Sequence, residues 1–181
     1  MTSGNGPNFV QITQPDQIGA DIRRTLIECW TEVSDAGGAA GFPFTPVDPD
    51  EVAQAADRII QGLDPRRSRL LLATVDGILA GWLNIRRDLN PLVAHWGTIH
   101  HVQTRLAARS QGIGAALMHR VRDIAHDEMG LEQLHLAARG GAGLEDFYGR
   151  LGWKEIGRWP NALRLAPGDD RDEILMILGP L

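Results

Sequence analysis

The stretch RSQGIGAALMHRV, residues 109–121, poses the first question about this 181-residue chain. Two glycines, Gly112 and Gly114, stand one residue apart at the point where an amphipathic helix is about to begin. A glycine inside a helix costs about 1 kcal/mol relative to alanine, so a pair of them in a first turn needs a physical reason. Either the backbone comes close to a ligand there, or the glycines form an ordinary junction between a loop and a helix.

The composition is typical of one globular domain, with 43% hydrophobic and 23% charged residues. The formal net charge of −5 argues against a nucleic-acid partner and favours a cationic or neutral substrate. Cys29 is the single cysteine, so a disulfide framework is excluded and we expect a cytoplasmic protein. Neither a signal-peptide pattern nor an apolar stretch of membrane-spanning length is present. We interpret residues 1–8 as a disordered tail and residues 9–181 as the domain.

The apolar spacing predicts an α+β architecture. In the first half we expect a strand at residues 9–13 and two helices, at residues 16–36 and from Asp50 onward. Two apolar runs joined by Asp76-Gly77 predict a hairpin with a tight turn, and a third strand at residues 95–104 would extend it into an antiparallel meander.

The second half of the chain alternates helices and strands. After Gly112 the apolar spacing predicts a helix to Met129, with Gly130 as its cap. A strand at residues 131–138 and a short helix at residues 143–152 follow. The last two strands are expected at residues 153–159 and 173–178, with GDDRDE, residues 168–173, as the turn between them.

The glycine pair places backbone N–H groups at a helix N-terminus, which is a ready site for an anion such as phosphate. A P-loop requires Lys-Ser or Lys-Thr after its second glycine, whereas Ala115 and Ala116 follow Gly114 here. A dinucleotide fingerprint requires a third small residue where this chain has Leu117, and an acidic residue after the next strand. Neither of these two designs fits the sequence.

Residues 109–114, Arg-Ser-Gln-Gly-Ile-Gly, resemble the Arg/Gln-x-x-Gly-x-Gly/Ala pyrophosphate loop of the GNAT acyltransferases, the GCN-five-related N-acetyltransferases. The stretch DFYGRLGW, residues 146–153, is similar to the second hallmark of that family, Phe-Tyr-x-x-x-Gly-Phe, with Trp153 in the final aromatic place. The order of elements from Phe9 to Leu178 also resembles the family. The resemblance implies the GNAT fold, three α/β/α layers around a mixed, mostly antiparallel sheet of about six to seven strands.

The resemblance also implies that acetyl-CoA is the co-substrate. No metal is expected, because no three His, Asp or Glu residues of the sequence have the spacing of metal ligands. The backbone of residues 102–104 would contact the pantetheine and the acetyl carbonyl, and the amides of residues 110–115 would contact the pyrophosphate. The cofactor-binding set implied in this way is Val102, Gln103, Thr104, Arg109, Ser110, Gln111, Gly112, Ile113, Gly114 and Ala115. One departure concerns an asparagine that contacts CoA in many members. Its position falls in Gly-Gly-Ala-Gly, residues 140–143, so that contact is either absent or made by the backbone.

Tyr148 matches the tyrosine that many GNAT enzymes use as general acid toward the leaving thiolate. A phenol with a pKa of about 10 can supply that proton. Tyr148 is the only tyrosine in the chain. The alternative is a purely structural role, because Tyr148 lies on the apolar stripe of its helix with Leu144 and Leu151.

His100 is the candidate general base. Many members of the family place a base on this strand at one of two positions. One of these positions falls on Thr98, which cannot act as a base, and the other falls on His100. A histidine with a pKa of about 6.5 can take a proton from an ammonium group directly or through water. The alternative for His100 is a hydrogen-bonded residue of the sheet. Strict alternation along the strand predicts that His101 points to the opposite layer.

Together these features predict an N-acetyltransferase that transfers the acetyl group of acetyl-CoA to a primary amine by direct attack. A small-molecule acceptor is favoured over a protein, and no nucleic-acid or membrane partner is expected; a homodimer is left open. The alternative is a non-catalytic module that senses acyl-CoA or binds a partner. The tyrosine and the strand histidine favour the enzyme.

Overall fold

The computed structural model describes residues 6–181. Most of the tail predicted for residues 1–8 lies outside this range, and its last residue, Asn8, already begins the first strand. Within the described range the chain forms four α-helices and seven strands. In chain order they are β1 (Asn8–Ile12), α1 (Ala20–Asp35), α2 (Pro49–Gln61), β2 (Ser68–Val75), β3 (Ile78–Arg86), β4 (Trp96–Thr104), α3 (Ile113–Asp123), β5 (Gln133–Arg139), α4 (Leu144–Arg150), β6 (Lys154–Ala166) and β7 (Asp169–Leu178).

The seven strands form one mixed sheet in the order β1-β2-β3-β4-β5-β7-β6. Strands β1 to β4 pair antiparallel in sequence, which confirms the predicted meander and adds β1 to its edge. The pairing of β4 with β5 is parallel, whereas β5, β7 and β6 pair antiparallel. This architecture agrees with the expected α+β sheet.

Helices cover both faces of the sheet and enclose two hydrophobic cores, so the predicted three layers are present. The core on one face joins α3 and α4 to the sheet, and its members include Leu83, Ile99, Leu117, Leu134 and Tyr148. The core on the other face joins α1 and α2 to the sheet, and its members include Leu26, Trp30, Val52, Leu70 and Trp82.

The β2–β3 hairpin forms where Asp76-Gly77 predicts it. Asp76 has φ 51° and Gly77 has φ 79°, the two left-handed residues that a type I′ turn requires. Its backbone twist matches the twist of the two strands, so the turn fixes their register. The sequence therefore locates this turn correctly from local chemistry alone.

Helix α2 begins one residue before the predicted Asp50 because Asp48 caps it. The Asp48 carboxylate accepts a hydrogen bond from the Asp50 amide at 2.9 Å, and Pro49 occupies the first turn. Helix α3 ends earlier than predicted, at Asp123, and one π-helical turn over Ile124–Glu128 continues it. Gly130 then has φ 63°, as expected for a glycine that ends a helix.

The prediction was wrong for the last hairpin. Residues 169–173, expected in a turn, belong to β7, and β6 extends to Ala166. Because β6 is an edge strand, these polar residues are stabilised by cross-strand pairing rather than by burial. For example, Arg164 donates to Asp170 at 2.7 Å and 2.8 Å between paired positions of the two strands. Ion pairs of this kind allow a hydrophilic segment to form a strand.

Candidate functional site

The middle of the sheet opens between β4 and β5. The two strands pair only from Trp96 to Thr98 against Gln133 to His135, and beyond that point they separate although both continue. The opening leaves a cleft of about 340 Å³ that contains Val102, Gln103, Thr104, Arg109 and Tyr148 among its lining residues. The divergence of two parallel strands thus exposes backbone groups in the centre of the protein.

The cleft continues into a second cavity of about 680 Å³ over the start of α3. The two cavities share Val102, Thr104, Arg109 and Tyr148, so they form one continuous groove. The second cavity also contains all but one of the remaining residues predicted to bind the cofactor: Ser110, Gly112, Ile113, Gly114 and Ala115. Gln111 does not line either cavity; its side-chain amide donates to the Ala107 carbonyl at 2.9 Å and holds the loop.

The loop before α3 has the backbone geometry of an anion site. Ser110 has φ 60° and Gly112, the N-terminal cap of α3, has φ 78°. None of the amide N–H groups of residues 110–115 donates a hydrogen bond to any part of the chain that the structure describes. Left-handed turns that point successive amides into one space bind phosphate oxygens well. The residues present therefore fit a pyrophosphate.

Tyr148 lies at the junction of the two cavities, on α4. The residue is 6% exposed, and its ring packs edge-on against Phe147 and Trp153, with centroid distances of 5.0 Å and 6.0 Å. Burial raises the pKa of the Tyr148 phenol to about 12, because a phenolate is poorly solvated there. The phenol therefore stays protonated at neutral pH and can donate a hydrogen bond into the groove.

The expectation that His101 points to the opposite layer is wrong. His101 has φ 57°, and the pairing of β3 with β4 shifts register between Trp82 and Asn84, so a β-bulge interrupts the alternation. The His101 ring consequently lies against Trp30 of α1, at a centroid distance of 4.7 Å. It is also 6.0 Å from the His100 ring, so both histidines lie on the α1–α2 side of the sheet.

The structure does not bring His100 into the groove with Tyr148. His100 lines a neighbouring cavity of about 510 Å³ with Arg67, Arg86 and Arg87, whereas His101 lines the cleft that contains Tyr148. Burial is the main cause that lowers the pKa of His100, and for His101 it lowers the pKa to about 4. The positive charge of Arg86 contributes to both shifts. Both imidazoles are therefore neutral at pH 7.

A further cavity of about 480 Å³ opens on the other side of His101 from the cleft. Sequence reasoning missed it, because its walls come from separate elements and carry no motif. Its lining residues include Trp30, Phe42, Ile59, Arg58 and Arg86. It adjoins the His100 cavity, with which it shares Gly62, Ser68 and Arg86.

The segment between α1 and α2 forms one wall of these cavities and is held by hydrogen bonds to α1, β5 and β6. On α1, the Trp30 indole N–H donates to the Ala40 carbonyl at 2.6 Å, and the Asp35 carboxylate accepts from the Val47 amide at 2.8 Å. On the far side of the groove, Arg139 donates to the carbonyls of Gly37 and Gly38 at 2.6 Å and 3.5 Å, and the Phe44 amide donates to the Leu165 carbonyl at 2.9 Å. The wall is therefore preformed.

Within residues 6–181, no three or more His, Cys, Asp or Glu side chains are placed to hold a metal ion. Across the same residues, no helix is both long enough and apolar enough to cross a membrane.

Comparison with known proteins agrees with this geometry. The model of the GNAT acetyltransferase domain matches residues 37–161, which is more than half of the chain. The chain therefore belongs to the GNAT acetyltransferase family. No sequence among the curated proteins matches it.

Solved structures match almost the whole chain at low sequence identity. The ribosomal-protein-S18-alanine N-acetyltransferase from Escherichia coli is 18% identical, with a TM-score of 0.70 over 96% of this chain and 94% of that one. The protein yncA from Salmonella typhimurium, solved with its cofactor acetyl-CoA, is 16% identical, with a TM-score of 0.70 over 96% and 95%. An aminoglycoside 6′-N-acetyltransferase complexed with coenzyme A is 14% identical, with a TM-score of 0.70 over 96% and 97%. At these identities the likeness establishes the fold alone.

Proposed function

We propose that this protein transfers the acetyl group of acetyl-CoA to the primary amine of a small molecule. The observation that carries the proposal is the set of amides from residues 110–115, which have no acceptor within the described chain and line the same groove as Tyr148. Two structural relatives of this fold contain acetyl-CoA or coenzyme A, which supports the same co-substrate here. Acetyl-CoA, when bound, supplies the acetyl group as a thioester.

The chain offers three groups of contacts for this co-substrate. The amides of residues 110–115 would bind the pyrophosphate oxygens at the start of α3. Residues 102–104, at the end of the part of β4 that has no partner in β5, would pair through their backbone with the amides of the pantetheine. Arg109 lines both cavities and adds a positive charge beside the phosphates.

Tyr148 is proposed as the donor to the sulfur. Its phenol keeps a proton at neutral pH because burial raises its pKa, and no hydrogen bond to residues 6–181 occupies its hydroxyl group. A preorganised neutral donor beside the sulfur stabilises a developing thiolate more strongly than bulk water does. Packing against Phe147 and Trp153 holds the ring in one orientation.

The two histidines are proposed to serve the amine in different ways. His101 lies between the cleft and the cavity of about 480 Å³, which we take as the proposed acceptor cavity, and its neutral imidazole there accepts a hydrogen bond from the attacking amine. Its pKa of about 4 makes it a poor final proton acceptor. His100, 6.0 Å away between ring centroids, is proposed as the general base, reached through water.

The direct test is release of thiol from acetyl-CoA in the presence of a mixed panel of amines. The wild-type protein should release thiol with at least one amine, and Tyr148→Phe should bind CoA equally tightly but release thiol at least tenfold more slowly. A protein that binds CoA but acetylates no amine would be the non-catalytic acyl-CoA sensor. A protein that shows no binding of CoA by calorimetry would contradict both functions.

A further inference from the structure

The walls of the two cavities on the α1–α2 side are strongly cationic. Four arginines line them, Arg58, Arg67, Arg86 and Arg87, whereas Asp88 is the one carboxylate among their lining residues. The cavity beside His101 contains no carboxylate among its lining residues. This local charge is opposite to the net charge of −5 on the whole chain, from which the sequence predicts a cationic or neutral substrate.

The positive charge on these walls is not neutralised by the protein. Arg58 and Arg86 form no ion pair with any of residues 6–181, and the Arg87 guanidinium donates to the backbone carbonyls of Arg66 and Met129. Elsewhere arginines do have carboxylate partners, such as Arg23 with Asp57 at 2.6 Å. Several unpaired guanidinium groups that line one concave surface are typical of an anion site.

We propose that the acceptor is a small primary amine that carries an anionic group, a carboxylate or a phosphate, bound by Arg86 and Arg58. This inference rests on the proposed function and names the class of its substrate. Guanidinium groups suit both anions because their planar fork makes two parallel hydrogen bonds to adjacent oxygens.

The arrangement of the cavity gives the acceptor one orientation. Arg86 lines both the His100 cavity and the proposed acceptor cavity, which also contains Arg58, and His101 lies between that acceptor cavity and the cleft of Tyr148. An acceptor whose anionic end binds the arginines therefore directs its amine toward His101 and the cleft. Between these ends, Trp30, Phe42 and Ile59 provide an apolar wall, on which Trp30 and Phe42 meet edge-on at 5.1 Å.

The same positive charge assists the chemistry of the amine. Arg86, whose positive charge adds to the effect of burial in lowering the pKa of both histidines, also disfavours an ammonium ion beside them, so more of the amine is present as the reactive free base. A polyamine or an aminoglycoside has no negative group to compensate this repulsion. The walls therefore select anionic amines over polycations.

Turnover distinguishes the substrate classes. Thiol release from acetyl-CoA is measured with the twenty amino acids, their amides, aminoalkyl phosphates, and a set of polyamines and aminoglycosides. We expect kcat/KM for the best amino carboxylate or amino phosphate to exceed that of its uncharged counterpart at least tenfold. Whichever of these two classes has the larger kcat/KM identifies the anionic group of the substrate. Preference for amides, polyamines or aminoglycosides would overturn the inference and leave the acetyltransferase function intact.

A binding measurement tests the arginines without turnover. N-acetyl amino acids, N-acetyl aminoalkyl phosphates and the uncharged counterparts of both are titrated calorimetrically into the complex with CoA, for the wild type, Arg86→Gln and the control Arg122→Gln, an exposed arginine of α3 on the other face of the sheet. At least one of the two anions should bind at least tenfold more tightly than its uncharged counterpart in the wild type and the control, and Arg86→Gln should remove the difference. If the wild type binds neither anion more tightly than its uncharged counterpart, or if the difference is unchanged in Arg86→Gln, the proposal is overturned. The affinity for CoA is measured first and tests the proposed function separately, because a protein that does not bind CoA would contradict that function.

Discussion

Substitution of Gly112 by alanine separates the two roles that the glycine pair could have. Gly112 has φ 78° with nothing within 4 Å of an added Cβ, so the cost to folding comes from the left-handed backbone and not from a clash. That cost is about 1–2 kcal/mol, which corresponds to about 2–8 °C in Tm for a chain of this size. Gly130, beyond the opposite end of the same helical segment, has φ 63° and equally open surroundings. Gly130→Ala is therefore a control matched for backbone strain.

The two variants should differ in their affinity for CoA. Gly112 lines the cavity that contains the amides of residues 110–115, and an added Cβ there meets open space, so the new methyl group should keep phosphate oxygens away from these amides. We expect at least tenfold weaker binding, about 1.4 kcal/mol, in Gly112→Ala and unchanged binding in Gly130→Ala, measured by calorimetry, with similar losses of Tm. Equal CoA affinity in the two variants would show that Gly112 is only a structural junction and would refute the reasoning.

Three other predictions follow from the titrating groups. Because Tyr148 is the only tyrosine and burial raises its pKa to about 12, the phenolate absorbance of the folded protein should rise near pH 12 and that of the unfolded chain near pH 10; a folded-state midpoint at pH 10 would contradict the burial. The pKa of His101 is lowered from 6.5 to about 4, so the stability that its neutral form contributes is complete above pH 6.5 and is lost as the pH falls toward 4. The free energy of unfolding, measured with denaturant, should therefore fall more steeply between pH 6.5 and pH 4 in the wild type than in His101→Phe. Equal pH dependence in the two proteins would count against a lowered pKa of His101. For His100→Gln, the profile of kcat against pH should lose the acidic limb that lies below pH 6.5 in the wild type, and an unchanged profile would remove His100 as the base.

The sequence predicts those features of the fold that depend on local chemistry. Asp76-Gly77 locates the hairpin because few residue pairs tolerate two left-handed conformations. Gly112 likewise indicates the turn into α3, and the spacing of Leu117 and Val121 identifies the face of that helix in the core. These features need no knowledge of the rest of the chain.

The proposed acceptor cavity could not be predicted from the sequence because its walls come together only in the tertiary structure. The period of two along a strand assigns His101 to the wrong layer, since a bulge at φ 57° interrupts the alternation. Arg58 and Arg86 lie on α2 and β3, and only the packing of these elements brings them to one cavity. The net charge of the whole chain does not predict the local charge of this surface, because many of the acidic residues lie elsewhere, where they form ion pairs with other arginines.

The polar hairpin of β6 and β7 shows a different limit. Residues 168–173 have the composition of a turn, and sequence patterns identify strands by alternating apolar residues. In the edge strand β6 and its partner β7, cross-strand ion pairs such as Arg164 with Asp170 stabilise strands that lack this apolar alternation.

Hydrogen exchange with and without CoA tests the central claim, that the amides before α3 bind the co-substrate. In the free protein the amides of residues 110–115 have no acceptor among the described residues, so they should exchange rapidly. Saturating CoA should slow their exchange at least tenfold and leave unchanged the exposed amide of Gly77 in the β2–β3 turn. Unchanged exchange at residues 110–115 in the presence of saturating CoA would contradict the account.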